Sequence, residues 1–119
     1  MYALPPCYKP YSIKIKTEIM FGLEKLFGSK QEDFKQLVAE GATILDVRSP
    51  AEFSDGHIPG AINIPVDQLQ GALGRFKNKT VITCCRSGAR SDTAARMLNA
   101  AGIKAINGGA WHSLYKKIA

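Results

Sequence analysis

Residues 81–92 read Val81-Ile82-Thr83-Cys84-Cys85-Arg86-Ser87-Gly88-Ala89-Arg90-Ser91-Asp92, and the succession of residue types decides the fold. Val81-Ile82-Thr83-Cys84 is a short apolar run of the kind that forms a buried strand. Gly88 permits the backbone bends that a tight loop needs. From Ser91 the apolar period lengthens: Ala94, Ala95, Met97, Leu98 and Ala101 line one side of a helix that Ser91 can cap and Gly102 ends. Strand, tight loop and helix in that order make a unit of an α/β sheet, where ligands bind at the carboxyl ends of the strands.

The flanking sequence repeats the alternation. Ser29 and Glu32 form an S-x-x-E capping pattern, with a helix expected through Phe34, Leu37 and Val38 to Gly41. Thr43–Val47 reads as a buried strand, and Pro50–Asp55 as one or two helical turns with proline at the start. Gly56, Pro59 and Gly60 mark a loop. Ala61–Ile64 is a second strand stopped by Pro65, and Val66–Leu73 a weak helix with Val66, Leu69 and Leu73 on one face. Lys104–Asn107 is a fourth strand, and Gly108-Gly109 is expected to open a last helix carrying Trp111 and Leu114. The pattern predicts an α/β fold: a mostly parallel central sheet of four to five strands with helices on both faces. Residues 20–119 are read as one domain. Residues 1–19 carry prolines 5, 6 and 10 and read as an appended segment, either an N-terminal strand or arm or a stretch ahead of a native start at Met20.

The bulk numbers agree with one small domain. The chain has 119 residues, 45% hydrophobic and 22% charged, an ordinary globular balance. Its net charge of +6 comes from scattered lysines and arginines. Without a basic run or interleaved aromatics, nucleic-acid binding is not expected. A positive field that draws small anions toward a site is. No stretch approaches the roughly 20 apolar residues that cross a bilayer, and the first residues lack the apolar core of a signal peptide. The three cysteines, Cys7, Cys84 and Cys85, show no zinc spacing. Adjacent cysteines rarely bond to each other. Free thiols and no signal point to the cytoplasm.

The loop after the third strand turns several N–H groups inward, making a nest for an anion, and the following helix adds its positive end. A free thiol titrates near 8.5, and bringing it to about 6 takes roughly 3.4 kcal/mol of preferential anion stabilisation. A helix end supplies about 0.3–2 kcal/mol. The inward amides, with Arg86 and Arg90, are expected to supply the rest for Cys85.

Three stretches carry a family resemblance. Residues 45–65, LDVRSPAEFSDGHIPGAINIP, resemble the front half of a rhodanese domain. CRSGAR at 85–90 resembles the six-residue rhodanese active-site loop, and Asn107-Gly108-Gly109-Ala110-Trp111 the closing glycine-rich segment. The likeness covers roughly residues 30–118, in order. It implies a rhodanese-like fold and a sulfurtransferase in which Cys85 carries sulfur as a persulfide. A small anionic donor such as thiosulfate would supply the sulfur, and cyanide, a thiol or a protein cysteine would accept it. Arg86, Ser87, Gly88, Ala89 and Arg90 would bind donor and persulfide, Arg86 and Arg90 through their planar forks. Neither a metal nor an organic cofactor is implied.

Other residues have competing readings. Counted from Cys84, Arg90 closes a C-x5-R, the spacing of cysteine phosphatases and some arsenate reductases on a related fold. Thr83 stands where those families usually carry histidine, and strand alternation makes Cys84 a buried, inert end of the strand. A sulfur carrier or interaction module without turnover is the remaining alternative. Asp46 is expected to orient the loop by accepting its N–H groups, and Arg48 to pair with Glu52 or Asp55. Ser91 caps the helix or bonds the persulfide. His57 reads as part of a structural turn, His112 as exposed, Trp111 as core or site wall, and Cys7 as a bystander.

Overall fold

Why the apolar runs become strands is clearest from their register. In the computed structural model, which describes residues 33–119, Ile44 lies beside Ile82 and Leu45 beside Thr83 in a parallel ladder. The expectations for residues 1–19, for the Ser29–Glu32 cap and for Cys7 lie outside the described residues. Four strands, β1 (Thr43–Asp46), β2 (Ile62–Asn63), β3 (Thr80–Cys85) and β4 (Lys104–Ala110), form a sheet in the order β2-β1-β3-β4. Every pairing is parallel. The continuous apolar strands follow from this, because a parallel sheet is covered on both faces.

Helices supply the two covers. On one face, α1 (Phe34–Ala39) and α4 (Trp111–Ile118) pack over Ile44, Ile82 and Cys84, with Phe34, Ile58 and Leu114 completing the cluster. On the other, a 3-10 helix (Val66–Phe76) and α3 (Ala89–Ala100) bury Leu69, Phe76, Ala94 and Leu98 against Leu45, Val81 and Cys85. Leu45, Leu69, Leu98 and Leu114 have no exposed surface, and burying each contributes about 1.5–3 kcal/mol. The short helix α2 (Pro50–Ser54) is held by a capping box. Ser49 Oγ accepts the Glu52 N–H at 3.2 Å, and Glu52 accepts the Ser49 N–H at 3.0 Å.

Asp33 caps α1, accepting the N–H of Gln36 at 3.0 Å. The structure corrects three local expectations. The segment from Val66 winds as a 3-10 helix and continues to Phe76. Gly71 and Gly74 weaken an α-helix there, and the tighter winding lines up Val66, Leu69 and Ala72 at the three-residue spacing that eclipses on such a helix. α3 begins at Ala89, with Gly88 as its N-cap at φ 104°. Ser91 therefore sits inside the first turn, not at the cap. Finally, Gly108 and Gly109 belong to β4, and α4 starts only at Trp111. A Cβ at Gly108 would lie 2.8 Å from both Ile82 Cγ2 and the Thr83 carbonyl oxygen, so only glycine lets β4 lie this close to β3.

Candidate active site

Adjacent residues on a strand project to opposite faces, and this separates the two cysteines. Both are free and fully buried. Cys84 points into the cluster beneath α1 and α4. Burial pushes its thiol up to about 12, with the Asp46 carboxylate adding to the rise.

Cys85 lies at the carboxyl end of β3 and faces α3. The chain then turns back over its sulfur. The Gly88 N–H donates to Sγ at 3.0 Å and the Ser91 N–H at 3.3 Å. Ser91 Oγ stands 3.4 Å from the sulfur. The left-handed φ of Gly88 aims these amides inward, a conformation that costs an L-residue about 1–2 kcal/mol. Burial drives the Cys85 thiol up. The Ser91 side chain and the N–H groups of Ser91, Gly88 and Ser87 outweigh it, so the thiol is held below its ordinary value. The apolar core backs one side of the sulfur and peptide hydrogens face the other.

The charged groups are arranged differently from the sequence expectation. Arg90 forks onto Glu52, with contacts of 2.9 and 3.1 Å. The Arg90 guanidinium and the Ser49 N–H hold the Glu52 carboxyl down at about 2. The same pairing raises the Arg90 guanidinium, with Cys85 a smaller influence on it. The groups that lower the thiol are thus the Ser91 hydroxyl and the loop amides, while the Arg90 guanidinium is engaged by Glu52. Arg86 and Ser87 are exposed on the loop, and Ala89 is exposed at the start of α3.

Two further corrections concern the end of β1. Arg48 pairs with Asp46, not with Glu52 or Asp55: its Nε and Nη2 reach the carboxylate at 2.7–3.1 Å, and Nη2 also donates to the Gly56 carbonyl at 2.8 Å. Asp46 accepts the Arg48 N–H at 3.1 Å and so is engaged by its own neighbour instead of by the loop. Only Val47 separates them where β1 ends, so the short aspartate meets the folded-back guanidinium before either can reach farther. Arg48 stacks 4.8 Å from the centre of the Trp111 ring. Trp111, Arg48, Glu52, Arg86 and His112 line an open cleft of about 530 Å³ beside the loop.

Asn107 has no role in the sequence analysis beyond its place in the glycine-rich segment. Asn107 joins the end of β4 to the loop: its Oδ1 accepts from Ser91 Oγ at 2.6 Å and from the Gly109 N–H at 2.9 Å, and its Nδ2 donates to the Gly88 carbonyl at 3.3 Å. No spacing rule links residues 16 positions apart, so only the fold brings Ser91 and Asn107 together. His57 bonds the Phe53 carbonyl at 2.7 Å and stacks on the Phe53 ring, as a structural turn requires. His112 is exposed and stacks on Trp111. Among the described residues, no three His, Cys, Asp or Glu cluster as a metal site would need. No helix among them is long and apolar enough to cross a membrane.

Comparison with known proteins accounts for this arrangement. The model of the rhodanese-like domain family matches residues 30–112. Thiosulfate sulfurtransferase 16 of Arabidopsis thaliana is 40% identical over 94 residues, covering 63% of this chain and 78% of that protein. YrkF of Bacillus subtilis, named as a candidate sulfur carrier, is 37% identical over 78 residues; the match covers 63% of this chain and only 42% of YrkF. The human single-domain sulfurtransferase TSTD1 superposes with a TM-score of 0.61 at 30% identity, over 71% of this chain and 90% of TSTD1. With the family model spanning well over half its length and a Cys85 loop set at the end of a central parallel strand, the chain belongs to the rhodanese-like domain family.

Proposed function

We propose that the protein is a sulfurtransferase that moves sulfane sulfur through a persulfide on Cys85. The observation that carries this reading is the convergence of the Gly88 and Ser91 N–H groups on the Cys85 sulfur. Thiolate is the nucleophilic form of cysteine. It attacks the outer sulfur of a donor such as thiosulfate: a new S–S bond forms at Cys85, the donor S–S bond breaks, and its electron pair leaves with sulfite. The loop amides hold the terminal persulfide anion as they hold the thiolate. An acceptor (cyanide, a small thiol or a protein cysteine) then attacks the outer sulfur and returns Cys85 to its thiolate. Two half-reactions through a covalent enzyme give ping-pong kinetics. The cycle needs no metal or organic cofactor, since neither half-reaction changes the net oxidation state of the pair.

Arg86, exposed on the loop and lining the cleft, draws an anionic donor toward the mouth. Arg90 steadies the loop through Glu52 and meets the donor when that pairing loosens. Free Cys84 and Cys85 fit a reducing compartment, and the cytoplasm is the reading we adopt. Against a phosphatase built on Cys84, that thiol is pushed up to about 12 and faces the other side of the sheet. The likeness to YrkF favours one second reading, a carrier that takes up sulfur and hands it over without catalytic turnover.

Intact-mass spectrometry after thiosulfate treatment tests the proposal. A gain of one sulfur atom is expected in wild type and in Cys84→Ser, and none in Cys85→Ser. A gain that survives Cys85→Ser sinks it. A persulfide on Cys85 that neither cyanide nor a thiol removes replaces it with the carrier reading.

A further inference from the structure

We propose that Asn107 is a positioning residue that restrains the ionisation of Cys85 by competing with its sulfur for the single hydroxyl hydrogen of Ser91. The geometry leaves that hydrogen few destinations. Ser91 Oγ lies 2.6 Å from Asn107 Oδ1, 3.1 Å from the Gly88 carbonyl oxygen and 3.4 Å from Cys85 Sγ. The amide orientation of Asn107 is fixed by its neighbours, because the Gly109 N–H at 2.9 Å can meet only an oxygen and the Gly88 carbonyl at 3.3 Å can meet only an N–H. A serine hydroxyl donates once and accepts twice. While Cys85 is a thiol, its S–H donates to Ser91 Oγ and the hydroxyl hydrogen goes to Asn107. When the thiol loses its proton, the sulfur becomes an acceptor, and the hydroxyl must turn from Asn107 to meet it. Asn107 therefore favours the protonated sulfur, and through Gly109 it ties this preference to the glycine-rich end of β4.

The other groups around the sulfur are accounted for. Arg86 and Arg90 flank it on the loop and on α3, and Glu52 of α2 binds Arg90. Asp46 and Arg48 pair at the end of β1, and Cys84 sits behind on β3. His112 of α4 lines the cleft with Arg86. The end of β4 brings Asn107, Gly108, Gly109 and Ala110, all uncharged.

The test is a thiolate absorbance titration in a Cys7→Ser background. Asn107 is exposed, so truncating it opens no core cavity. Asn107→Ala is expected to lower the Cys85 midpoint by about half a unit to one unit, the worth of one neutral hydrogen bond. Asn107→Asp keeps an oxygen for the Gly109 N–H, is the stronger acceptor, and is expected to raise the midpoint. With Ser91→Ala already in place, the effect of Asn107→Ala disappears. The low-pH limb of kcat/KM follows the midpoint, which a merely structural role would not produce. An upward or absent shift in Asn107→Ala, a downward shift in Asn107→Asp, or an equal Asn107→Ala shift with and without Ser91 overturns the proposal. The proposal rests on the sulfur-transfer reading only for its effect on rate. The titration contains no sulfur donor, so its failure is distinct from a failure to form persulfide.

Discussion

Cys84 gives the fold a measurable weakness in alkali. Its thiol rises from 9.0 to about 12 on folding because it is buried beneath α1 and α4 with the Asp46 carboxylate nearby. A group whose value is raised by folding contributes stability that is complete below its unfolded value and is lost as pH climbs toward the folded one. The unfolded chain ionises this thiol from pH 9.0 upward while the folded chain does not until about pH 12. At about 1.36 kcal/mol per pH unit the full loss is about 4 kcal/mol, more than half of it between pH 8 and 11. Cys85 acts in the opposite sense: its folded value is lowered from 9.0, so its stabilisation is complete above pH 9.0 and is lost as pH falls from there through the folded value, equally in wild type and in Cys84→Ala. Tyrosines and lysines also titrate in alkali, and comparison with Cys84→Ala removes them. Urea unfolding of both proteins at intervals from pH 8 to 11 should show the advantage of wild type over the variant shrinking by about 2–3 kcal/mol. A difference that stays constant across that range would mean that Cys84 ionises equally well in the folded chain, and burial would not set the two cysteines apart.

Other outcomes follow from the same geometry. Ser91→Ala should raise the Cys85 midpoint by about one unit, since a hydrogen bond to a charged group is worth about 1 kcal/mol more than a neutral one. Arg90→Ala should raise it by less, because Glu52 already holds that guanidinium; a larger effect from Arg90→Ala in the same titration would restore the guanidinium to the leading place. Gly108→Ala should destabilise the fold by about 1–3 kcal/mol, as overpacking does, because its Cβ would stand 2.8 Å from Ile82 and Thr83; an unchanged urea midpoint would contradict that packing.

Much of this was legible in residues 43–111. The apolar runs of β1 and β3 and the helix rich in alanine after the loop follow from periodicity, because burial on both faces leaves few polar residues in them. The position of Cys85 between strand and helix was legible for the same reason, and the three resembling stretches pointed to the family. What the sequence concealed lies between elements. Glu52 took Arg90 and left Arg48 to Asp46, since pairing depends on how α2 is aimed at the loop and not on spacing along the chain. Ser91 reads as a cap, but the left-handed turn at Gly88 places the cap three residues earlier and turns that hydroxyl onto the sulfur. The role of Gly108 is visible only when β3 and β4 lie side by side.

The central claim is that inward peptide hydrogens keep Cys85 ionised more readily than an ordinary thiol. A pH titration of Cys85 thiolate absorbance in folded protein, with Cys7 replaced by serine and Cys84 silent until about pH 12, tests it most directly. A midpoint below 9.0 is what the account predicts. A midpoint at or above 9.0 would show that burial prevails over the amides of Gly88 and Ser91, and would contradict it.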